Sequence, residues 1–259
     1  MKLIKKIAML ATFATTLTAC VSTAEINNDA AKSYAQVQQQ ARAKNAIDTT
    51  SATAKRIHTV FNKMKPYAEK ANSTGVPFNW EITVLRSDEL NAWAMPGGKM
   101  AFYTGLVEKL NLTNDQIAVV MGHEMAHALQ EHGKSDRTFS TVTGVLAQVG
   151  SIALQTQGIQ TNYGGVDLVG TVADLGLNKP FSRSQETEAD EVGLMLMAEA
   201  GYNPESAPAL WEKMSQASGS SNAGAFAAIA STHPSNASRQ ENLARLVPKA
   251  KEIYNASKK

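Results

Sequence analysis

The sequence predicts an α+β protein that is mainly helical and contains one small antiparallel sheet. Apolar residues recur at helical spacing across positions 31–72, and again from Thr104 almost to the end of the chain. Between these regions, residues 80–85 alternate with the period of two that is typical of a half-buried strand. The turn sequence Pro96-Gly97-Gly98 separates two further extended runs and predicts a hairpin.

The order of elements follows from these patterns. The N-terminal region predicts two helices with a break near 48–51, and Pro66 is a candidate end or kink of the second. The strand at 80–85 is followed by an extended run at 91–95, whose return strand is 99–103. We expect the two N-terminal helices to clamp the core that follows them.

Composition excludes several classes of protein. The chain has 259 residues, of which 43% are apolar and 19% charged, so neither disorder nor a collagen repeat is expected. The formal net charge of +2 includes Lys2, Lys5 and Lys6, so a chain that begins at position 20 is close to neutral. This balance gives no electrostatic reason to expect a nucleic-acid partner.

The N-terminus has the features of an export signal. Residues 1–19 combine a basic start with an apolar stretch that is too short to span a bilayer. The sequence Leu17-Thr18-Ala19-Cys20 resembles the bacterial lipobox, in which the signal is removed before the cysteine and the thiol is lipidated. We therefore predict a signal peptide at 1–19, a lipid-anchored tether at 20–30 and a single domain at 31–259, with N-terminal helices at 31–72 and a catalytic core at 73–259. Cys20 is the only cysteine, which excludes an intramolecular disulfide and a thiolate ligand in the core.

The chemistry is concentrated in residues 113–132. Thr113 and Gln116 form a capping-box signature at the start of a predicted helix, and Gly133 suits its end. The helix carries the sequence His123-Glu124-Met125-Ala126-His127. Residues four apart on a helix have Cβ atoms about 6 Å apart, so both imidazoles can bind one zinc ion while Glu124 lies beside it as a base.

A catalytic zinc site ordinarily has three protein ligands. An HExxHxxGxxH pattern would need Gly at position 130 and His at position 133, where this chain has Gln130 and Gly133. His132 lies about 500° around the helix from His127, so we expect it to point away and to act as a cation near the helix C-terminus.

A third ligand is predicted in a second helix. Ser182 and Gln185 form another capping box, and Gly201 marks the end of the helical pattern. Glu186 and Asp190 lie four residues apart on one face, so one can bind the metal while the other accepts a hydrogen bond from a ligating imidazole. Glu188 lies about 200° from Glu186 and should point to solvent or to a basic neighbour.

The sequence resembles the gluzincin metallopeptidases, a group that includes HtpX and the CAAX prenyl proteases. The resemblance is strongest to their lipid-anchored bacterial branch, which is typified by LoiP and BepA. The resemblance covers residues 91–98, the HExxH helix, the sequence Glu186-Thr187-Glu188-Ala189-Asp190 and the sequence Thr232-His233-Pro234-Ser235. It implies a zincin-like catalytic core with Glu186 as the third ligand of one zinc ion per chain, and His233 at the active site. The basic residue after the HP motif corresponds to Arg239.

The resemblance implies hydrolysis of peptide bonds, with zinc held by His123, His127 and Glu186 and with Glu124 as the base. His233 or Arg239 could stabilise the oxyanion, and His233 could instead cap the zinc as a removable fourth ligand. The implied substrates are unfolded or misassembled outer-membrane proteins, so that the enzyme would act in protein quality control at the periplasmic face of the outer membrane.

Four questions remain open at this stage. A substrate strand could pair with the edge formed by residues 92–95, or this run could be an ordinary hairpin strand. Residues 138–179 could form a lid or a helical pair that packs on the core. A zinc-binding chaperone or assembly factor with little proteolytic activity would share the histidines but would not need Glu124. A cell-wall amidase would use the same ion and base.

Overall fold

The fold is seen in a computed structural model that describes residues 22–134, 180–218, 229–233 and 237–258. The predicted signal segment, Cys20, Pro234 and the whole 138–179 segment lie outside these ranges. Within the described ranges, no helix is both long enough and apolar enough to cross a membrane.

Two long helices open the described chain, as predicted. Helix α1 spans Thr23–Ala43 and helix α2 spans Ala52–Ala71, with the break at the predicted place. Helix α1 begins earlier than the expected position 31, because Ser22 and Glu25 form a capping box that starts it at Thr23. Pro66 does not end the second helix, which continues through it to Ala71.

Three strands form a mixed sheet. Strand β1 spans Glu81–Leu85, β2 spans Ala92–Met95 and β3 spans Lys99–Tyr103, in the order β1-β3-β2. The predicted hairpin is confirmed: β2 and β3 are antiparallel and are joined through Gly97 and Gly98, whose φ angles of 76° and 81° favour glycine. The prediction of a wholly antiparallel sheet is wrong, because β1 pairs with β3 in parallel. Side-chain alternation indicates which face of a strand is buried but not the direction of its partner.

Both faces of the sheet are covered. Helix α1 packs on one face, where the Tyr34 hydroxyl bonds to the Thr83 hydroxyl at 2.6 Å and donates to the Met100 carbonyl at 2.9 Å. The opposite face, which includes Val84 and Phe102, belongs to the main hydrophobic core. The strands are therefore buried more completely than the predicted half-buried pattern, because α1 covers the face expected to meet solvent. Helix α1 contacts β2 and β3, and helix α2 contacts β1 and α4, so both N-terminal helices pack on the rest of the fold.

The remaining helices form the larger part of the core. Helix α3 spans Thr104–Lys109, α4 spans Asn114–Leu129, α5 spans Arg183–Glu199, α6 spans Ser206–Ser218 and α7 spans Ala237–Ala256. A short helical turn at 229–232 precedes His233. Helices α4 and α5 pack along each other, and α7 packs against α5. The mainly helical α+β fold is thus confirmed.

Candidate metal centre

Capping residues position the two helices that carry the site. At α4, the Thr113 hydroxyl accepts from the Gln116 N–H at 3.2 Å and the Gln116 side chain accepts from the Thr113 N–H at 3.1 Å. Ser182 and Gln185 make the equivalent pair of bonds at the start of α5. Both predicted capping boxes are confirmed. They fix the start of each helix, so His123, His127 and Glu186 lie at defined positions on facing surfaces.

Four buried side chains converge between these helices. The nearest donor atoms of His123, His127, Glu186 and His233 all lie within 4.8 Å of one another. The Nε2 atoms of His123 and His127 are 3.0 Å apart, and Nε2 of His127 is 3.3 Å from Oε1 of Glu186. Nδ1 of His233 lies 3.2 Å from Nε2 of His123 and 3.0 Å from Oε1 of Glu186. A set of imidazole nitrogens and one carboxylate that point at a common centre fits a zinc ion.

The ligand side chains are held in their charge states by their surroundings. Burial opposes ionisation of Glu186, but contacts with His123, His127 and His233 outweigh it and hold the pKa of this carboxyl far below its ordinary value. Burial lowers the pKa of His127 well below its usual range, which favours the neutral imidazole. At His123 burial also acts to lower the pKa, but the Asp190 and Glu186 carboxylates outweigh it and raise the pKa to about 10, so this ring would give up a proton on binding a metal. An anionic glutamate and a neutral histidine are the forms that bind a metal.

Asp190 lies behind the first histidine. Its Oδ1 is 2.9 Å from Nδ1 of His123, on the far side of the ring from the metal-facing Nε2. Burial opposes ionisation of Asp190, but its contacts with Arg239 and His123 keep the pKa of this carboxyl below its ordinary value. At this distance the Asp190 carboxylate can orient a metal-binding imidazole, but the ring N–H does not point at it with the angle of a hydrogen bond in this conformation.

Arg239 bridges the two carboxylates of α5. Its Nε and one terminal nitrogen donate to the two oxygens of Asp190, each at 2.7 Å, and its other terminal nitrogen lies 2.6 Å from Oε2 of Glu186. The guanidinium also lies over the Trp211 ring, 4.4 Å from its centroid, and the residue is 1% exposed. The family resemblance implied a basic residue at this position. The structure adds that this residue pairs with the carboxylates of both Asp190 and Glu186.

Glu124 is buried beside this cluster. Its Oε1 lies 3.4 Å from Nε2 of His233, and the backbone N–H of Ala94 bonds to its carboxylate. Burial raises the pKa of Glu124 above its ordinary value. Ala94 belongs to β2, which is an edge strand of the sheet within the described residues, so that edge faces the carboxylate of this candidate base.

His132 contradicts the expectation made for it. It is 5% exposed, its Nδ1 lies 2.9 Å from Nδ1 of His127, and burial lowers its pKa, so it is not the solvated cation expected at a helix end. The helical projection failed because α4 ends at Leu129, and Glu131, with φ 52°, turns the chain back toward the metal side. Glu188, which was expected to point to solvent or to a basic neighbour, is 53% exposed and lies 3.2 Å from Nε2 of His132.

Phe181 is a further residue of the metal site, and it was not predicted from the sequence. Its ring stacks on that of His127, with centroids 3.9 Å apart and an interplanar angle of 27°. The residue directly precedes the capping Ser182, and nothing in its local sequence marks it as a neighbour of an imidazole. Its contact with the ligand depends on the packing of α4 against α5.

Comparison with known proteins agrees with this geometry. The family model described as peptidase family M48 matches residues 51–247, which is most of the chain. The chain belongs to peptidase family M48. The sequence-based resemblance is thereby confirmed at the level of the family.

Individual relatives differ in how much of their length is matched. The chain is 34% identical over 171 residues to the mitochondrial metalloendopeptidase OMA1 of Schizosaccharomyces pombe, which covers 66% of this chain and 48% of that protein. It is 25% identical over 258 residues to the metalloprotease YcaL of Escherichia coli, covering 94% of this chain and 97% of that protein. It is 32% identical over 148 residues to the beta-barrel assembly-enhancing protease of Escherichia coli, covering 56% and 29%. The chain thus spans about half of the fission-yeast OMA1 and nearly all of YcaL.

Proposed function

We propose that this M48 protein is a zinc-dependent endopeptidase that binds one Zn²⁺ through His123, His127 and Glu186. The observation that carries the proposal is the convergence of these three buried side chains beside the carboxylate of Glu124. The names of two relatives, a mitochondrial metalloendopeptidase and a metalloprotease, support the same reaction class.

The bound zinc would supply positive charge that polarises both a water molecule and the scissile carbonyl. Glu124 would remove the proton from that water and later deliver it to the leaving amine. The raised pKa of its buried carboxyl favours this work, because a stronger base accepts the proton more readily near neutral pH. Asp190 would orient the His123 ring, and Arg239 would hold Asp190 and Glu186 in place. This role for Arg239 differs from the oxyanion contact considered from sequence, and the pairing of its guanidinium with the two carboxylates supports it.

His233 would close the metal site as a fourth ligand in the conformation seen here. Its Nδ1 faces His123 and Glu186, while its Nε2 faces Glu124. A histidine so placed occupies the position that substrate or water needs and also contacts the base. Of the two roles considered from sequence, these contacts favour the removable cap over the oxyanion donor.

The open edge of β2 would bind substrate as an extended strand. Strand β2 is the outer strand on its side of the sheet, and the Ala94 N–H on its open edge bonds to Glu124. An added strand would place its backbone next to the base and would select extended chain rather than particular side chains. Unfolded or misassembled envelope proteins present such chains, and the name of one relative, a protease that enhances β-barrel assembly, supports outer-membrane proteins as substrates.

We further propose a lipid anchor at Cys20 that holds the protein at the periplasmic face of the outer membrane, as in the LoiP and BepA branch. An acyl chain contributes about 0.8 kcal/mol of membrane affinity per buried methylene, so a multiply acylated cysteine suffices without a spanning helix. Metabolic labelling with palmitate should mark the wild type and leave Cys20→Ala unlabelled. Equal labelling of both would exclude the anchor.

The experiment that tests the activity compares wild type with Glu124→Gln. Zinc content and digestion of casein or an unfolded outer-membrane protein are measured on both, with Glu69→Gln on the exposed surface of α2 as the matched control. We expect Glu124→Gln to keep its zinc and lose digestion, and Glu69→Gln to keep both. Equal digestion by Glu124→Gln would refute the mechanism. A wild type that binds zinc and unfolded protein without cleaving it would instead support the chaperone or assembly-factor alternative.

A further inference from the structure

The end of α4 places a second histidine directly behind a metal ligand. Glu131 adopts φ 52°, its N–H donates to the Ala128 carbonyl at 3.1 Å, and the His132 N–H donates to the His127 carbonyl at 3.1 Å. These two bonds form a Schellman motif, in which the residue after the left-handed position contacts the residue five positions earlier. Here these two residues are His132 and His127, and their imidazoles are in contact.

At this turn Glu131 adopts the left-handed backbone conformation that favours glycine. A non-glycine residue in the left-handed region is strained, so neighbouring contacts must hold it there. The Glu131 carboxylate accepts from the Thr23 hydroxyl at 2.7 Å and lies 3.2 Å from the Lys134 ammonium. The first residue of α1 thus helps to fix the turn that presents His132.

The hydrogen-bonding roles of the two imidazoles follow from which atom faces the metal. Nε2 of His127 faces His123 and Glu186, so its lone pair belongs to the ion and the ring proton resides on Nδ1. That N–H needs an acceptor, and Nδ1 of His132 lies 2.9 Å away. His132 then carries its own proton on Nε2, which lies 3.2 Å from the Glu188 carboxylate. Each donor therefore has an acceptor along the series His127, His132 and Glu188.

We propose that His132 is a positioning residue that fixes the tautomer and ring orientation of the zinc ligand His127, with Glu188 fixing His132 in turn. This inference rests on the metal site of the proposed function. His123 has a buried carboxylate, that of Asp190, 2.9 Å from its Nδ1 as an ion-pair contact. His127 is linked to a carboxylate through an intervening imidazole, and Phe181 stacked on its ring limits the remaining freedom. The two ligands from α4 are therefore oriented by two carboxylates of α5, Asp190 and Glu188, which lie two residues apart and point in different directions from the helix.

The two supports should differ in strength. The Asp190 side chain is 5% exposed and paired with Arg239, whereas the Glu188 side chain is 53% exposed and competes with water. The acceptor atom on His132 should therefore matter more than the charge of Glu188. Removing an orienting partner of this kind typically weakens metal binding by about 10-fold to 100-fold.

The test measures zinc affinity without substrate, by competition with a chromogenic chelator. His132→Leu removes the acceptor, whereas His132→Asn places an amide oxygen close to the position of Nδ1. We expect about 10-fold to 100-fold weaker binding for His132→Leu and near-wild-type binding for His132→Asn. His58→Phe, which removes a histidine of α2 away from the site, is the matched control and should bind as wild type does.

A second readout separates positioning from a general packing role. The visible spectrum of the cobalt-substituted protein reports ligand geometry, and it should change in His132→Leu and return toward wild type in His132→Asn. Thermal unfolding of the metal-free variants shows whether either substitution alters the fold itself. Wild-type zinc affinity in His132→Leu, or equal loss in the Leu and Asn variants, would overturn the inference. Failure of the wild type to bind zinc would instead overturn the proposed function, and zinc binding without proteolysis would leave the positioning role intact.

Discussion

Gly122 and Gly193 lie backbone against backbone where α4 crosses α5. A Cβ atom on Gly193 would lie 2.6 Å from the Gly122 carbonyl carbon, and one on Gly122 would lie 2.5 Å from the Gly193 carbonyl oxygen. No real side chain tolerates such distances, so the approach of the two helices requires glycine at both positions. His123 directly follows one glycine, and Asp190 lies three residues before the other. The close crossing is therefore what brings the histidines within reach of the α5 carboxylates.

Substituting Gly193 by alanine should separate the helices. Overpacking of this kind typically costs about 1–3 kcal/mol, which exceeds the gain of about 1 kcal/mol that alanine brings to a helix interior. We expect Gly193→Ala to lower the free energy of unfolding of the metal-free protein and to weaken zinc binding, as measured by urea denaturation and chelator competition. Gly133→Ala is the control, because its Cβ would be no closer than 3.6 Å to Pro96. Equal behaviour of the two variants would contradict the argument.

The three acidic residues near the start of α5 should have separable roles. Glu186→Ala should lose zinc and activity, because Glu186 is the buried carboxylate that faces both ligand histidines. Asp190→Ala should weaken zinc binding by about 10-fold to 100-fold through lost orientation of His123. Glu188→Ala should keep most of both properties, since its carboxylate lies outside the metal cluster and is half exposed. The zinc stoichiometry of the three purified variants tests these roles. If Glu188→Ala were the only variant without zinc, Glu186 would be excluded as the third ligand.

His233→Ala should raise turnover if His233 caps the site. The substitution removes the imidazole that faces both the ligand cluster and Glu124, so substrate and water gain access to the base. We expect kcat on an unfolded protein substrate to increase and zinc affinity to decrease, because one ligand is lost. Steady-state kinetics at saturating zinc separate the two effects. A fall in kcat with unchanged KM would indicate the oxyanion role instead.

Features set by residues close together in the sequence could be predicted, and features set by contacts between distant segments could not. Thr113 with Gln116, and Ser182 with Gln185, lie three residues apart, so the starts of α4 and α5 could be predicted from spacing alone. The parallel pairing of β1 with β3 could not, because strand direction is decided by the packing of the whole sheet. The positions of Phe181 and Arg239 likewise depend on contacts between helices distant in sequence. His132 was misplaced for a different reason: helical projection was extended past Leu129, where the helix had already ended.

Asp48 links the start of α2 to the sheet, and its ionisation should stabilise the fold. Its Oδ1 accepts from the Thr50 and Ser51 N–H groups at 3.1 and 3.0 Å, and its own N–H donates to the Val84 carbonyl at 2.9 Å. Burial opposes ionisation, but the hydrogen bonds from Ser51 and Thr50 outweigh it and lower the pKa of Asp48 below its ordinary value. A hydrogen bond to a charged group contributes about 1.5–3 kcal/mol to the free energy of unfolding. Its loss costs less than this when a neutral oxygen, such as that of an amide, takes the place of the carboxylate.

The pH dependence follows from the direction of that shift. Because the pKa is lower in the folded protein, the stabilisation is complete above the unfolded value of about 3.9 and is lost as pH falls through the folded value. We expect Asp48→Asn to be less stable than wild type at pH 7 by about 1 kcal/mol, since the amide keeps one acceptor but loses the charge. The difference should shrink as pH is lowered below about 3.9, because the unfolded chain then takes up the proton while folded Asp48 still holds its charge. Urea denaturation of the metal-free proteins measures it, with Asp88→Asn on the exposed surface as control. A stability difference that stays constant from pH 7 down through the acid range would show that the Asp48 charge does not hold this junction.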